Sequence, residues 1–88
     1  MKIKIKTTIV NKQGLHARPA SVFVSKACEF DSDILVVKGD TEIDGKSLMS
    51  ILMLAAACGD KILIIADGDD AADAIKSLNK LVNSGFGE

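Results

Sequence analysis

Lys2-Ile3-Lys4-Ile5-Lys6-Thr7-Thr8-Ile9-Val10 opens the chain with a clean alternation. Ile3, Ile5 and Ile9 fall on one face; Lys2, Lys4, Lys6 and Thr8 fall on the other. Successive strand side chains point to opposite faces, so this stretch predicts a half-buried strand with a lysine-lined solvent face. A sheet with one wet face takes its helices on the other, which favours an open-faced arrangement.

Working outward, Asn11 to His16 carries turn chemistry around Gly14. Pro19 follows, then Ala20, Phe23, Val24 and Ala27 at helical spacing. Proline is favourable in a first helical turn, where its missing N–H costs nothing. This predicts a helix over about 18–29, ended by Asp31-Ser32-Asp33. Ile34 to Val37 is a short β-branched run, Lys38-Gly39-Asp40 a turn, and Thr41 to Ile43 a return strand; together they read as a hairpin. Gly45-Lys46-Ser47 opens a second helix with Ser47 as N-cap. Leu48 to Ala57 continues it, and Gly59 suits the C′ position. Lys61 to Ala66 is another apolar strand. Asp67-Gly68-Asp69-Asp70 is a turn that places carboxylates at a helix N-terminus, where the dipole favours them. Ala71, Ile75, Leu78 and Val82 share one helical face, and Gly85 stops that helix.

The order is βαββαβα. It predicts an α+β open-faced β-sandwich of the split β-α-β kind, one domain over residues 1–88. Composition agrees: 88 residues with 48% apolar, 26% charged, seven Gly and one Pro describe a globular chain. Eleven basic against twelve acidic residues remove the electrostatic footprint of a nucleic-acid binder. With three Phe and no Trp or Tyr there is no base-stacking platform. One His and two Cys, Cys28 and Cys58, cannot form a four-ligand zinc site, and no metal is expected. Both Cys sit in apolar stretches and read as small packing residues. The charged N-terminus excludes a signal-peptide core, and Leu48 to Cys58 is too short to span a bilayer. A cytoplasmic protein without membrane insertion is expected.

Two places stand out from this frame. Leu48, Met49, Ile51, Leu52, Met53 and Leu54 cannot all point inward from a one-sided helix. Either the second helix is covered all round, or part of it meets a partner, as exposed methionine-rich surfaces do. The other place is Gly14-Leu15-His16-Ala17-Arg18-Pro19, which holds the sole histidine. A neutral imidazole nitrogen is a competent nucleophile. A helix N-terminus offers free N–H groups, here those of Ala17 and Arg18, and a positive dipole end. The Arg18 guanidinium suits phosphate oxygens. Together they describe a place where a phosphoryl group on His16 would be stabilised. From the residues alone, an ordinary exposed loop histidine beside a helix-leading arginine remains the alternative. No Gly-rich nucleotide loop is present, so a phosphoryl donor must bring its own machinery. Ser47 has a structural reading as N-cap, yet a phosphate there would also be tolerated at a helix N-terminus.

Taken together, Gly14-Leu15-His16-Ala17-Arg18-Pro19-Ala20, Gly45-Lys46-Ser47-Leu48-Met49, the length and the order of elements resemble HPr, the histidine-containing phosphocarrier family of the phosphoenolpyruvate-dependent sugar phosphotransferase system. The resemblance spans essentially the whole chain. It implies a four-stranded antiparallel sheet under three helices, and a stoichiometric carrier rather than an enzyme, without cofactors. It implies that enzyme I phosphorylates Nδ1 of His16 and that His16 passes the group to IIA domains of sugar permeases. Arg18 and the backbone N–H of Ala17 would hold the phosphoryl oxygens. Ser47 falls on the family's regulatory serine, the substrate of HPr kinase/phosphorylase, whose product works with catabolite control protein A. Leu48, Met49 and Leu52 match the docking surface, on a protein expected to be a monomer. Ser25, with Lys26 beside it, stands where some members carry a docking lysine, which bears on partner preference. Two rival readings are a paralogue serving a nitrogen-related phosphotransfer chain and a non-catalytic regulatory binding module. In the second, His16→Ala would change nothing.

Overall fold

A computed structural model describes residues 1–88. The element order is β1 (Lys2–Thr8), α1 (Ala17–Ala27), β2 (Asp33–Lys38), β3 (Thr41–Asp44), α2 (Leu48–Leu54), β4 (Lys61–Asp67) and α3 (Ala71–Asn83), with a short 3-10 turn at Gly85–Gly87. The strands form one antiparallel sheet in the order β1-β4-β2-β3. This is the α+β open-faced sandwich that the βαββαβα order predicts.

Register explains which face is covered. Ile5 pairs with Ile64, Ile64 with Val36, and Val36 with Ile43, so one row across the sheet is wholly apolar. That row faces the helices, and Ile64 and Val36 are fully buried. The neighbouring row, Lys4, Ile65, Leu35 and Asp44, points the other way, with Lys4 and Asp44 exposed. A one-residue slip would exchange the two rows, so burial fixes the pairing. Over the covered face lie Ala20, Phe23 and Ala27 from α1, Ile51 and Leu54 from α2, and Ala74, Leu78 and Val82 from α3, in a single core. The lysine face of β1 is the solvent face. The hairpin turn is Gly39-Asp40, with Gly39 at φ +60°.

Several boundaries differ from those read in the sequence. Helix α1 runs from Ala17 to Ala27 and closes at Cys28, whose N–H donates to the Val24 carbonyl, before the acidic tripeptide is reached. Helix α2 stops at Leu54 rather than Ala57, and its left-handed terminator is Ala55 at φ 54°, not Gly59. The cause is competition for the following backbone. Ala56 accepts from the Leu15 N–H, Gly59 donates to Ile9, and Ile9 donates to Asp60. Residues 55–60 are thus paired with residues 9–15 and are not free to stay helical. Lys38 secures the end, its Nζ donating to Ala55 O at 3.0 Å and lying 3.3 Å from Asp60 Oδ2. The Asp60 carboxyl is held below its usual range, first by the Ala57 N–H and then by Lys38.

Asp70 is the residue before α3, yet its carboxylate does not cap that helix. It crosses instead to Asp31 and Ser32. The cysteines correct a second reading: Cys28 and Cys58 are both free and exposed, not packing residues. Cys28 follows the last inward residue of α1, and Cys58 lies on the outer side of the 55–60 segment, its Sγ 3.7 Å from Val10 O. Helix α3 ends as expected, with Gly85 at φ +66° just beyond Ser84. No helix is long and apolar enough to cross a membrane.

Candidate functional site

His16 is the N-cap residue of α1, with extended backbone and its carbonyl accepting the Ala20 N–H. Its position follows from the loop before it. Gly14 sits at φ +68°, where a side chain would meet Ala56 O at 2.5 Å and Ala57 Cα at 2.8 Å. Only glycine lets the loop lie this close to the 55–60 segment. Leu15 is buried beside it and anchors His16 to the core. Buried Pro19 and Ala20 then fix the axis of α1.

The imidazole is 37% exposed, but unevenly. Nε2 is closed off from solvent and lies 3.3 Å from Glu88 Oε2, close but not aligned as a hydrogen bond. Nδ1 has no protein hydrogen-bond partner and, unlike Nε2, is not closed off from solvent. The N–H groups of Ala17 and Arg18 are taken by no carbonyl, and the His16 side chain does not cap them. Arg18 is exposed, with its guanidinium in no ion pair. Both residues read from the sequence alongside His16 therefore stand with unused donors in the same first turn. Free N–H groups at a helix start and an unpaired guanidinium are the donors that hold a phosphate.

Ser47 caps α2, its Oγ accepting from the Ser50 N–H at 3.3 Å. Lys46 beside it is committed elsewhere, its Nζ donating to Phe30 O at 2.7 Å. On α2, Ile51 and Leu54 turn inward, while Leu48, Met49 and Leu52 are exposed. Met53 joins them as the most exposed of the four, at 75%. The sequence already held that signal, because Met53 lies four residues after Met49 and so on the same helical face. Two further residues at the histidine, Asn11 and Glu88, escaped sequence reading. Asn11 looks like any turn residue, and nothing local marks Glu88 as returning to residue 16. No group of three His, Cys, Asp or Glu is placed to hold a metal ion.

Fold and site define a class: a small open-faced α+β domain that presents one imidazole nitrogen at a helix start, among unused phosphate-type donors. Residues 3–84 match the family model described as the PTS HPr component phosphorylation site. The phosphocarrier protein HPr of Neisseria meningitidis is 44% identical over 86 residues, 98% of this chain and 97% of the relative. The phosphocarrier protein NPr of Shewanella violacea is 37% identical over 87 residues, 99% and 96% of the two chains. The HPr structure from Thermoanaerobacter tengcongensis superposes with a TM-score of 0.95 at 43% identity, covering 98% and 97%. A second structure of HPr from that organism is of a dimer, with a TM-score of 0.80 at 46% identity, covering 91% and 92%. The chain belongs to the HPr family of phosphocarrier proteins, which are carriers of the phosphotransferase system and not catalytic enzymes.

Proposed function

We propose that His16 carries the phosphoryl group, on Nδ1. The observation that carries this reading is the unequal exposure of the ring: Nε2 is shut in against Glu88, whereas Nδ1 is free and solvent-facing. The Nδ1 lone pair attacks phosphorus on phospho-enzyme I. The N–P bond forms as the donor bond breaks, its electron pair leaving with enzyme I. Arg18 and the N–H groups of Ala17 and Arg18 receive the phosphoryl oxygens. The reverse chemistry then delivers the group to a IIA domain of a sugar permease. No deep cleft is needed, since donor and acceptor both bring their own sites.

Leu48, Met49 and Leu52, with Met53, form the docking surface for these partners. Ser47 lies at its edge, and its phosphorylation by HPr kinase/phosphorylase adds charge beside the patch without removing the capping oxygen. That supports a change of partner, toward catabolite control protein A, in a folded domain. The setting is cytoplasmic, and the unit is a monomer over residues 1–88. The NPr relative supports a second reading, in which the same histidine serves a nitrogen-related chain.

The test is intact mass after incubation with phosphoenolpyruvate and enzyme I, with His16→Ala in parallel. One acid-labile phosphoryl group, absent from the variant, is expected. Phosphorylation only with the nitrogen-branch donor would select the second reading. No uptake from either donor would leave a regulatory binding module.

A further inference from the structure

We propose that Asn11 is a positioning residue for His16, acting through Glu88. This rests on the phosphocarrier reading of His16, and it concerns what aims the ring. Asn11 is only 6% exposed, unusual for a loop amide. Its Nδ2 donates to Gly14 O at 2.7 Å and to Glu88 Oε1 at 3.1 Å. The second Glu88 oxygen faces Nε2 of His16. One amide thus ties the loop that leads into His16 to the carboxylate beside its ring.

The amide orientation follows from chemistry. Reversed, Oδ1 would oppose a carbonyl and a carboxylate, acceptor against acceptor. In the observed orientation Oδ1 is buried without a partner. An unpaired buried acceptor is unfavourable, so the position keeps asparagine for its two donors. Aspartate would offer none.

The segment that delivers Glu88 is itself constrained. Phe86 is buried in the core and adopts φ +58°, a left-handed conformation rare for a bulky side chain. Gly85 lies over Asn11, and a Cβ there would sit 3.6 Å from Asn11 Cβ. Strain of this kind persists only where the surroundings enforce it, and it collects at functional sites. Here the enforced turn sets the Glu88 carboxylate between Asn11 and His16.

The consequence for the chemistry is specific. A carboxylate at Nε2 favours the tautomer with its proton there, which leaves the lone pair on Nδ1. As the Nδ1–P bond forms, the ring gains positive charge that the Nε2–H shares. No proton has to leave, and the facing carboxylate offsets the charge. Asn11 touches neither ring nor phosphoryl group; it holds the group that does.

The test uses the full chain labelled with 15N and reads the His16 tautomer and the solvent exchange of its Nε2 proton. Wild type, Asn11→Asp, Glu88→Ala and the double variant are compared. Wild type should carry the proton on Nε2. Each single variant should speed its exchange roughly tenfold, because the carboxylate that faces and covers Nε2 is removed or displaced. The double variant should match Glu88→Ala alone, because Asn11 acts through Glu88. Unchanged exchange in Asn11→Asp, or effects that add, would overturn the proposal. Should Asn11→Asp not fold, Glu88→Ala still decides. Freed of its acceptor, the wild-type Asn11 side-chain amide must exchange faster, and an unaltered amide signal rejects the tie. Single-turnover phosphoryl uptake from phospho-enzyme I separates the two readings. If no protein takes up phosphate while the exchange pattern holds, the carrier reading fails and the positioning of the ring stands.

Discussion

Asp70, the residue leading α3, holds Ser32, the residue leading β2, through both the backbone N–H, at 2.9 Å from Oδ1, and the hydroxyl. Its other oxygen accepts the Asp31 N–H at 2.8 Å. The carboxylate therefore joins the connection between α1 and β2 to the start of α3, across 38 residues of sequence. These bonds need the ionised form, and they hold the carboxyl below its ordinary value of 3.8, the Ser32 hydroxyl most of all. The native pKa lies below the unfolded one, so the contribution is complete above about pH 4 and is lost as pH falls through the lowered value. Asp70→Asn should lower the unfolding free energy at pH 7 and lessen the further loss on acidification. Urea titrations of both proteins between pH 7 and pH 2 check this. Parallel curves would mean that Asp70 does not contribute to the acid transition.

Gly14 makes a sharper stability prediction, because its neighbours are backbone. Gly14→Ala places a methyl against Ala56 O and Ala57 Cα, neither of which can rotate away. Left-handed backbone alone costs alanine about 1–2 kcal/mol, and displacing residues 56–57 adds to that. Gly39 is also at positive φ but has open space around it. Gly39→Ala should therefore show the backbone cost alone. Denaturant titrations should rank Gly14→Ala well below Gly39→Ala, and His16 phosphorylation should slow only in the former. Equal losses would mean that the loop does not depend on this close approach.

The contrast between these glycines marks what was legible in the sequence. The alternation of Ile3 and Ile5, the β-branched run at Ile34 and the spacing of Ile75, Leu78 and Val82 are local patterns. They predict the order of elements that the structure has. His16, Arg18 and Ser47 stood in short motifs whose roles depend on a helix start, and α1 and α2 do start there. The end of α2 was not legible, because its breaker is a partner strand of loop, residues 9–15, and not a residue of its own. Asn11 and Glu88 failed for the same reason: 77 residues separate them, and only the fold makes them neighbours. The cysteines misled because an apolar stretch does not say which side of a turn points outward.

Ser47 should divide into a structural and a regulatory part. Its Oγ accepts the Ser50 N–H, so Ser47→Ala should destabilise the domain by about 1 kcal/mol, a typical cost for losing an N-cap. That corresponds to roughly 4–8 °C in Tm for a domain of this size. Ser47→Asp keeps an acceptor at the cap and should melt close to wild type, while carrying the charge that a phosphate would bring. If Ser47→Asp slows transfer to His16 and Ser47→Ala does not, the charge regulates. If both slow it equally, the cap itself is what transfer needs.

Helix α2 offers a last separation, between residues that hold the fold and residues proposed to meet partners. Ile51 is fully buried, whereas Met49 and Met53, one turn apart, are 68% and 75% exposed. Ile51→Ala should cost about 2–5 kcal/mol through the cavity it leaves. Met49→Glu and Met53→Glu should each stay within about 0.5 kcal/mol of wild type in stability, since they remove no buried contact. Both should weaken binding to enzyme I roughly tenfold, as expected for losing an apolar anchor and placing a charge in a docking surface. Calorimetric titration against enzyme I, beside thermal melts of the same variants, reads both quantities. Unchanged affinity with unchanged stability would leave the methionines without a docking role, and the contact surface would then have to rest on Leu48 and Leu52 or on the surroundings of His16 and Arg18.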